Sequence, residues 1–128
     1  MAKLDNAIGW FEIYVEDIDR ATAFYEGVFD TKLIRQSMGD TGPEMAMFPG
    51  MPDGSGASGA LVQMPQMRKP STDGALVYFS CEDCAIEHSR AEANGGQVWG
   101  KKFPIGDRGF IATIIDTEGN QIGLHSTQ

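Results

Sequence analysis

The stretch at residues 8–15, Ile-Gly-Trp-Phe-Glu-Ile-Tyr-Val, predicts a β-strand because its side chains alternate between two faces. One face carries Phe11, Ile13 and Val15, and the other carries Trp10, Glu12 and Tyr14. Carboxylates at 16–19 follow, which favour the start of a helix. Apolar side chains then recur at helical spacing: Ala21, Phe24, Tyr25, Val28 and Phe29. The predicted helix ends at Asp30, where a residue in the left-handed conformation is expected. Strand candidates follow at 32–37, 44–48 and 59–64.

The same order of elements starts again 66 residues later. A strand at 75–81 leads into Glu82-Asp83 at the cap position, and a helix to about residue 93 ends at Asn94-Gly95-Gly96. The remaining strand candidates are 97–103, 109–115 and 121–125, the last two joined by a turn at 116–120. These patterns predict an α+β fold with an internal duplication, a single domain over 1–128 built from βαβββ modules at 7–66 and 73–126.

Length and charge narrow the classes of function. The chain has 128 residues, a length typical of one domain, and a net charge of −8. Such an acidic balance argues against nucleic-acid and membrane partners, and the basic doublets Arg68-Lys69 and Lys101-Lys102 are isolated. With two cysteines and no hydrophobic signal core near the start, we expect a cytoplasmic protein.

Two blocks of sequence resemble the vicinal oxygen chelate superfamily, which includes glyoxalase I, extradiol dioxygenases and bleomycin-resistance proteins. The opening block is Trp10-Phe11-Glu12-Ile13 with 15–21 and Phe24-Tyr25-Glu26. The closing block consists of 77–83, Gly95-Gly96 and 116–124. The resemblance implies paired βαβββ modules whose curved sheets form a cup, often completed by a second subunit, so we expect a homodimer.

The resemblance also implies four metal-ligand positions, one on each of four strands. Three of them fall on Trp10, Leu76 and Gly123, whose side chains cannot bind a metal. The fourth lies at 60–63, where only Gln63 could coordinate. We therefore expect no metal cofactor. The alternative, an ion held by Glu12 and His125 alone, would be a weak site with two protein ligands.

Strand alternation gives the cup other candidate residues. It places Glu12 beside Trp10 and Tyr14, Tyr78 beside Leu76, and His125 beside Gly123. Glu12, Tyr78 and His125 are candidate catalytic residues, because a carboxylate, a phenol and an imidazole can perform acid–base work or orient a polar ligand. Alternatively, Glu12 and His125 satisfy one another in a polar core pocket.

Further candidates lie outside these strands. Six of the seven methionines fall within 38–67 and, with Phe48, surround the glycine-rich loop at 50–59. They predict either a pocket for an apolar ligand or simple gap-filling. Residues 106–109, Gly-Asp-Arg-Gly, predict a turn, and Arg108 is a candidate to attract an anionic ligand at the mouth of the cup. Cys81 and Cys84 are interpreted as ordinary thiols because Glu82 and Asp83 disfavour a reactive thiolate.

Three functions remain open on this evidence. The first is a metal-free cup that binds a small molecule through Trp10, Tyr14, Phe48, Gln63, Leu76, Arg108 and Gly123. The second is a small-molecule lyase, isomerase or hydrolase that uses Glu12 with Tyr78 or His125. The third is a dimeric interaction protein without catalysis. Fold does not choose among them, because the residues that define the superfamily's chemistry are the ones replaced.

Overall fold

The secondary structure repeats one order of elements twice. The computed structural model describes residues 8, 10–37, 39–40, 42–50 and 56–128. The first module consists of β1 (Trp10–Val15), α1 (Ile18–Phe29), β2 (Ile34–Ser37), β3 (Glu44–Met47) and β4 (Ser58–Gln63). The second consists of β5 (Val77–Ser80), α2 (Cys84–Arg90), β6 (Gln97–Pro104), β7 (Phe110–Ile115) and β8 (Gln121–Ser126).

Each module forms its own four-stranded sheet. The strand orders, β1-β4-β3-β2 and β5-β8-β7-β6, are the same for the two modules. In both sheets the first strand pairs in parallel with the last, and the other neighbours are antiparallel. The α+β fold with a duplicated βαβββ unit, predicted from the sequence, is therefore confirmed, and the two curved sheets do not close into a barrel.

Equivalent aspartates start the two helices. The carboxylate of Asp17 accepts hydrogen bonds from the amides of Asp19 and Arg20, and that of Asp83 accepts one from Ala85. Such N-caps satisfy amides that have no partner within the helix. Asp30 ends α1 in the left-handed conformation with φ of 52°, as its position predicts.

The second helix is shorter than predicted. It ends at Arg90, and a 3₁₀ turn at Glu92–Asn94 leads to Gly95 with φ of 92°. The side-chain amide of Asn94 donates to the carbonyl oxygen of Arg90, while its backbone N–H turns to the carbonyl oxygen of Ala91. The Asn94 side chain thereby takes the acceptor that another α-helical turn would need.

The two modules share one hydrophobic core. Phe11 of β1 and Phe79 of β5 meet edge to face with ring centroids 5.8 Å apart, and Tyr25 and Phe29 of α1 pack beside them. Phe48, which follows β3, completes this aromatic cluster, 5.3 Å from Phe79. Since the cluster draws on both modules, neither module would keep this core alone.

The turn between β7 and β8 joins the second module to the first. The buried carboxylate of Asp116 accepts a hydrogen bond of 2.8 Å from the hydroxyl of Tyr25. The side-chain amide of Asn120 donates to the carbonyl oxygen of Tyr14 over 2.9 Å. Glu118 accepts from the amides of Glu16 and Asp17 and forms a bidentate pair with Arg20. We call Asp116, Glu118 and Asn120 the intermodule clamp.

No helix in the described ranges is long and apolar enough to cross a membrane.

Candidate functional site

The outer face of β1 carries a hydrogen-bonded row of three side chains. Ile13 and Val15 are buried in the core, so alternation turns Trp10, Glu12 and Tyr14 to the opposite face, as the sequence predicts. The indole Nε1 of Trp10 donates to Oε2 of Glu12 over 3.2 Å, and the hydroxyl of Tyr14 donates to Oε1 over 2.7 Å. Both carboxylate oxygens of Glu12 are thus engaged by its neighbours.

An open cavity of about 720 Å³ lies beside this row, and we call it the Trp10 cavity. Its lining residues come from β1 and from the segment after β4: Trp10, Glu12, Tyr14, Met67, Arg68 and Lys69. A tight turn positions the second segment, because the amides of Met67 and Arg68 both donate to the carbonyl oxygen of Met64. A smaller cavity of about 150 Å³ adjoins it, between β1 and β8, and shares Glu12, Tyr14 and Lys69 with it.

The electrostatics of the Trp10 cavity combine one carboxylate with two cations. The hydrogen bond to Glu12, with partial burial, raises the pKa of the Tyr14 hydroxyl, and nearby Arg68 opposes that rise. The Arg68 guanidinium carbon lies 5.8 Å from the centre of the Tyr14 ring, within the range of a cation–π contact. Tyr14 therefore keeps its proton at neutral pH and holds Glu12 as an acceptor.

Two of the candidate catalytic residues, Tyr78 and His125, lie on the second sheet. Tyr78 is 46% exposed and its ring covers Gly123, where an added Cβ would approach the ring to 2.4 Å. His125 is half-buried, and its Nε2 donates to the carbonyl oxygen of Arg108 over 2.7 Å. Neither Tyr78 nor His125 lines the Trp10 cavity or the smaller cavity that adjoins it. The structure thus pairs Glu12 with Trp10 and Tyr14, and it shows no contact between Glu12 and His125.

Of the predicted ligand-binding residues, only Trp10 and Tyr14 line the Trp10 cavity. Leu76 and Arg108 are exposed elsewhere, and Gly123 is buried under Tyr78. Phe48 lies in the aromatic core, with its ring 5.6 Å from that of Phe11.

Gln63 is placed on the core side of its strand. Its partner in the sheet is Val15, a fully buried residue of the core. Its side-chain oxygen accepts a hydrogen bond of 2.7 Å from the amide of Ile18, at the start of α1. Gln63 therefore caps a helix and does not face the cavity.

The methionine cluster is only partly within the described residues. Met67 is 68% exposed and lines the Trp10 cavity, whereas Met45, Met47 and Met64 are half-buried. Met38, Met51 and most of the glycine-rich loop at 50–59 lie outside the described residues. Within the described part, one methionine thus contributes to the candidate site.

The four positions that the resemblance assigns to metal ligands do not fit a divalent ion. The indole of Trp10 donates its N–H to Glu12, and neither Leu76 nor Gly123 has a donor atom for a metal. The side-chain oxygen of Gln63 is engaged by Ile18. Over the described ranges, no three His, Cys, Asp or Glu side chains form a group that could hold a metal ion.

The two cysteines have the properties of ordinary thiols. Burial, together with the nearby carboxylate of Glu87, raises the pKa of the Cys81 thiol to about 12. Cys84 is fully buried at the first position of α2, and both cysteines are free. A thiol with so high a pKa is a poor nucleophile at neutral pH.

The basic side of the cavity is not predicted from the sequence. In the sequence Arg68 and Lys69 are an isolated doublet, yet in the structure both line the same cavity as Trp10 and Tyr14. The signal was their position in Met-Arg-Lys-Pro, directly after the turn that follows β4. Only the path of that turn shows which strand the doublet faces.

Comparison with known proteins identifies the family. The model of the Glyoxalase/Bleomycin resistance protein/Dioxygenase superfamily matches residues 7–124. This chain therefore belongs to that superfamily, in agreement with the resemblance found in its sequence. A comparison with curated protein sequences gives no match.

Solved structures of the family share the fold at low sequence identity. A glyoxalase/bleomycin resistance protein from Albidiferax ferrireducens is 16% identical, with a TM-score of 0.69 over 94% of this chain and 98% of its own. A glyoxalase-related enzyme from Fulvimarina pelagi is 13% identical, with a TM-score of 0.72 over 96% and 88%. The E144Q mutant of glyoxalase I from Zea mays is 16% identical, with a TM-score of 0.71; the match covers 99% of this chain and 49% of that one. At these identities the comparisons establish the fold alone.

Proposed function

We propose that this chain is a metal-independent binding protein for a small organic molecule, which it holds in the Trp10 cavity. The observation that carries the proposal is an open cavity of about 720 Å³ whose polar and aromatic lining is already ordered by hydrogen bonds. Preorganised polar groups in a concave site are typical of small-molecule sites. The mismatch between the four implied ligand positions and a divalent ion favours binding without a metal.

A thermal-shift screen in the presence of a chelator tests this proposal. At ten times its Kd, a ligand stabilises the protein by about 1.4 kcal/mol, which raises Tm by about 5 °C for a chain of this size. We expect such compounds to stabilise the wild type and to leave it chemically unchanged by mass spectrometry. Trp10→Ala should abolish the shift, because the indole lines the cavity and orients Glu12.

Trp99→Ala provides the matched control for this screen. Trp99 is 69% exposed on β6 and lines neither cavity, so its removal should leave the ligand-induced shift intact. If no compound stabilises the wild type, or if Trp10→Ala responds like the wild type, binding in the Trp10 cavity is refuted.

An enzymatic function is the second candidate, and the contact between Glu12 and Tyr14 favours it. A carboxylate 2.7 Å from a phenol can exchange a proton with a substrate bound beside both groups. In this candidate mechanism Tyr14 is the partner of Glu12, a role for which the sequence suggests Tyr78 or His125. If a compound from the screen is converted, Glu12→Gln should lower kcat at least about 100-fold with little change in Tm. An unchanged kcat would exclude Glu12 as the base.

The third function, a dimeric scaffold without a ligand, is less favoured because the Trp10 cavity is not filled by the protein's own described side chains. A homodimer in the cytoplasm remains our expectation. The exposed side chains of Leu76, just before β5, and of Tyr78 on β5 are compatible with a second copy.

A further inference from the structure

We propose that the ligand of the Trp10 cavity is a planar aromatic carboxylate. This inference rests on the proposed binding function and names the chemistry of its ligand. It combines two features of the lining. One is a pair of adjacent cations, Arg68 and Lys69, and the other is the flat aromatic surface of Trp10 and Tyr14.

The charge of the cavity is opposite in sign to that of the whole chain. The protein has a net charge of −8, yet the lining contains two cationic side chains and a single carboxylate, Glu12. Both oxygens of that carboxylate already accept hydrogen bonds from Trp10 and Tyr14. Glu12 therefore orders Trp10 and Tyr14, and its charge offsets one of the two cations, so the lining keeps one net positive charge to attract a negatively charged ligand.

Arg68 and Lys69 have no carboxylate partner among the described residues. The ion pairs found there use Arg20, Lys32, Arg35 and Lys102. Arg68 instead lies near the Tyr14 ring, which leaves donors of its planar guanidinium for a ligand. A guanidinium binds a carboxylate through two parallel hydrogen bonds, a geometry that a neutral carboxamide does not match.

The aromatic rings of Trp10 and Tyr14 determine the shape of the ligand. The indole of Trp10 is 43% exposed, and its hydrogen bond to Glu12 fixes the ring in the lining. A fixed, exposed ring that lines the same cavity as the Arg68 guanidinium favours a flat partner that stacks on the ring and pairs with the cation. A flexible aliphatic anion could pair with the cations but has no flat face to stack on the indole.

The test compares two probes of equal shape, 2-naphthoate and 2-naphthamide, by isothermal titration at low ionic strength. We expect 2-naphthoate to bind the wild type at least tenfold more tightly than 2-naphthamide. Arg68→Gln should remove most of this preference, and Lys69→Gln should reduce it. Arg35→Gln is the matched control, because it also removes one exposed cation, which pairs with Asp19 outside the cavity.

The inference would be overturned if the wild type bound the two probes with equal affinity, or if it did not bind 2-naphthoate at about 1 mM. It would also be overturned if Arg68→Gln and Arg35→Gln lost the preference for 2-naphthoate equally. The proposed binding function is tested separately, by the thermal-shift screen. Neutral or cationic compounds that stabilise the wild type but not Trp10→Ala would leave a binding protein whose ligand has a different chemistry.

Discussion

Asp116→Ala is expected to destabilise the protein by about 4 kcal/mol, measured as the free energy of unfolding in urea. The Asp116 carboxylate is 3% exposed and accepts from the Tyr25 hydroxyl, two backbone amides and the side chain of Asn120. Alanine would leave the fully buried Tyr25 hydroxyl and those donors without an acceptor, and it would release the turn that joins the modules.

The control for this variant is Asp107→Ala, which removes an exposed carboxylate from the 3₁₀ turn before β7. Its unfolding free energy should stay within about 0.5 kcal/mol of the wild type. If Asp116→Ala were as mild as Asp107→Ala, the intermodule clamp would not contribute to stability, and the aromatic core alone would hold the modules together.

Glu118→Gln is expected to destabilise the protein by about 2 kcal/mol at pH 7, and the effect should disappear in acid. Burial alone would raise the pKa of Glu118, but hydrogen bonds from Arg20, Asp17 and Glu16 outweigh it and lower the pKa to about 2. Because the folded-state pKa is below the ordinary 4.5, the carboxylate stabilises the fold fully above that pH. The stabilisation is lost as the pH falls from about 4.5 towards 2.

The measurement is the difference in unfolding free energy between wild type and Glu118→Gln over that pH range. Burial raises the pKa of Asp116 in both proteins, so that contribution largely cancels in the difference. Glu82→Gln, at an exposed carboxylate, should show little difference at any pH. A difference for Glu118→Gln that stays constant with pH would contradict the role assigned to its charge.

Local patterns in the sequence were sufficient to predict the repeated elements. Asp17 and Asp83, 66 positions apart, both cap helices, and Asp30 adopts the left-handed conformation predicted for it. Strand alternation also placed Trp10, Glu12 and Tyr14 on one face. These features depend on the chemistry of neighbouring residues, which the sequence contains directly.

Features that depend on the long-range path of the chain could not be predicted. The register of β4 against β1 decides that Gln63 faces the core, and no local pattern reports that register. In the same way, the turn at Met64 brings Arg68 to Tyr14. The sequence of residues 116–120 predicts a turn but not its hydrogen bonds to the first module, because the partners Tyr25 and Arg20 are about a hundred residues away.

The most direct test of ligand binding uses the two indole N–H signals of the chelator-treated protein in a ¹⁵N–¹H spectrum. Trp99→Phe assigns them, because only Trp10 then remains. On titration with a stabilising compound from the screen, or with 2-naphthoate, the Trp10 signal should shift in a saturable way while the Trp99 signal stays in place. A stationary Trp10 signal, despite stabilisation of the protein by the same compound, would place the ligand elsewhere and contradict the account.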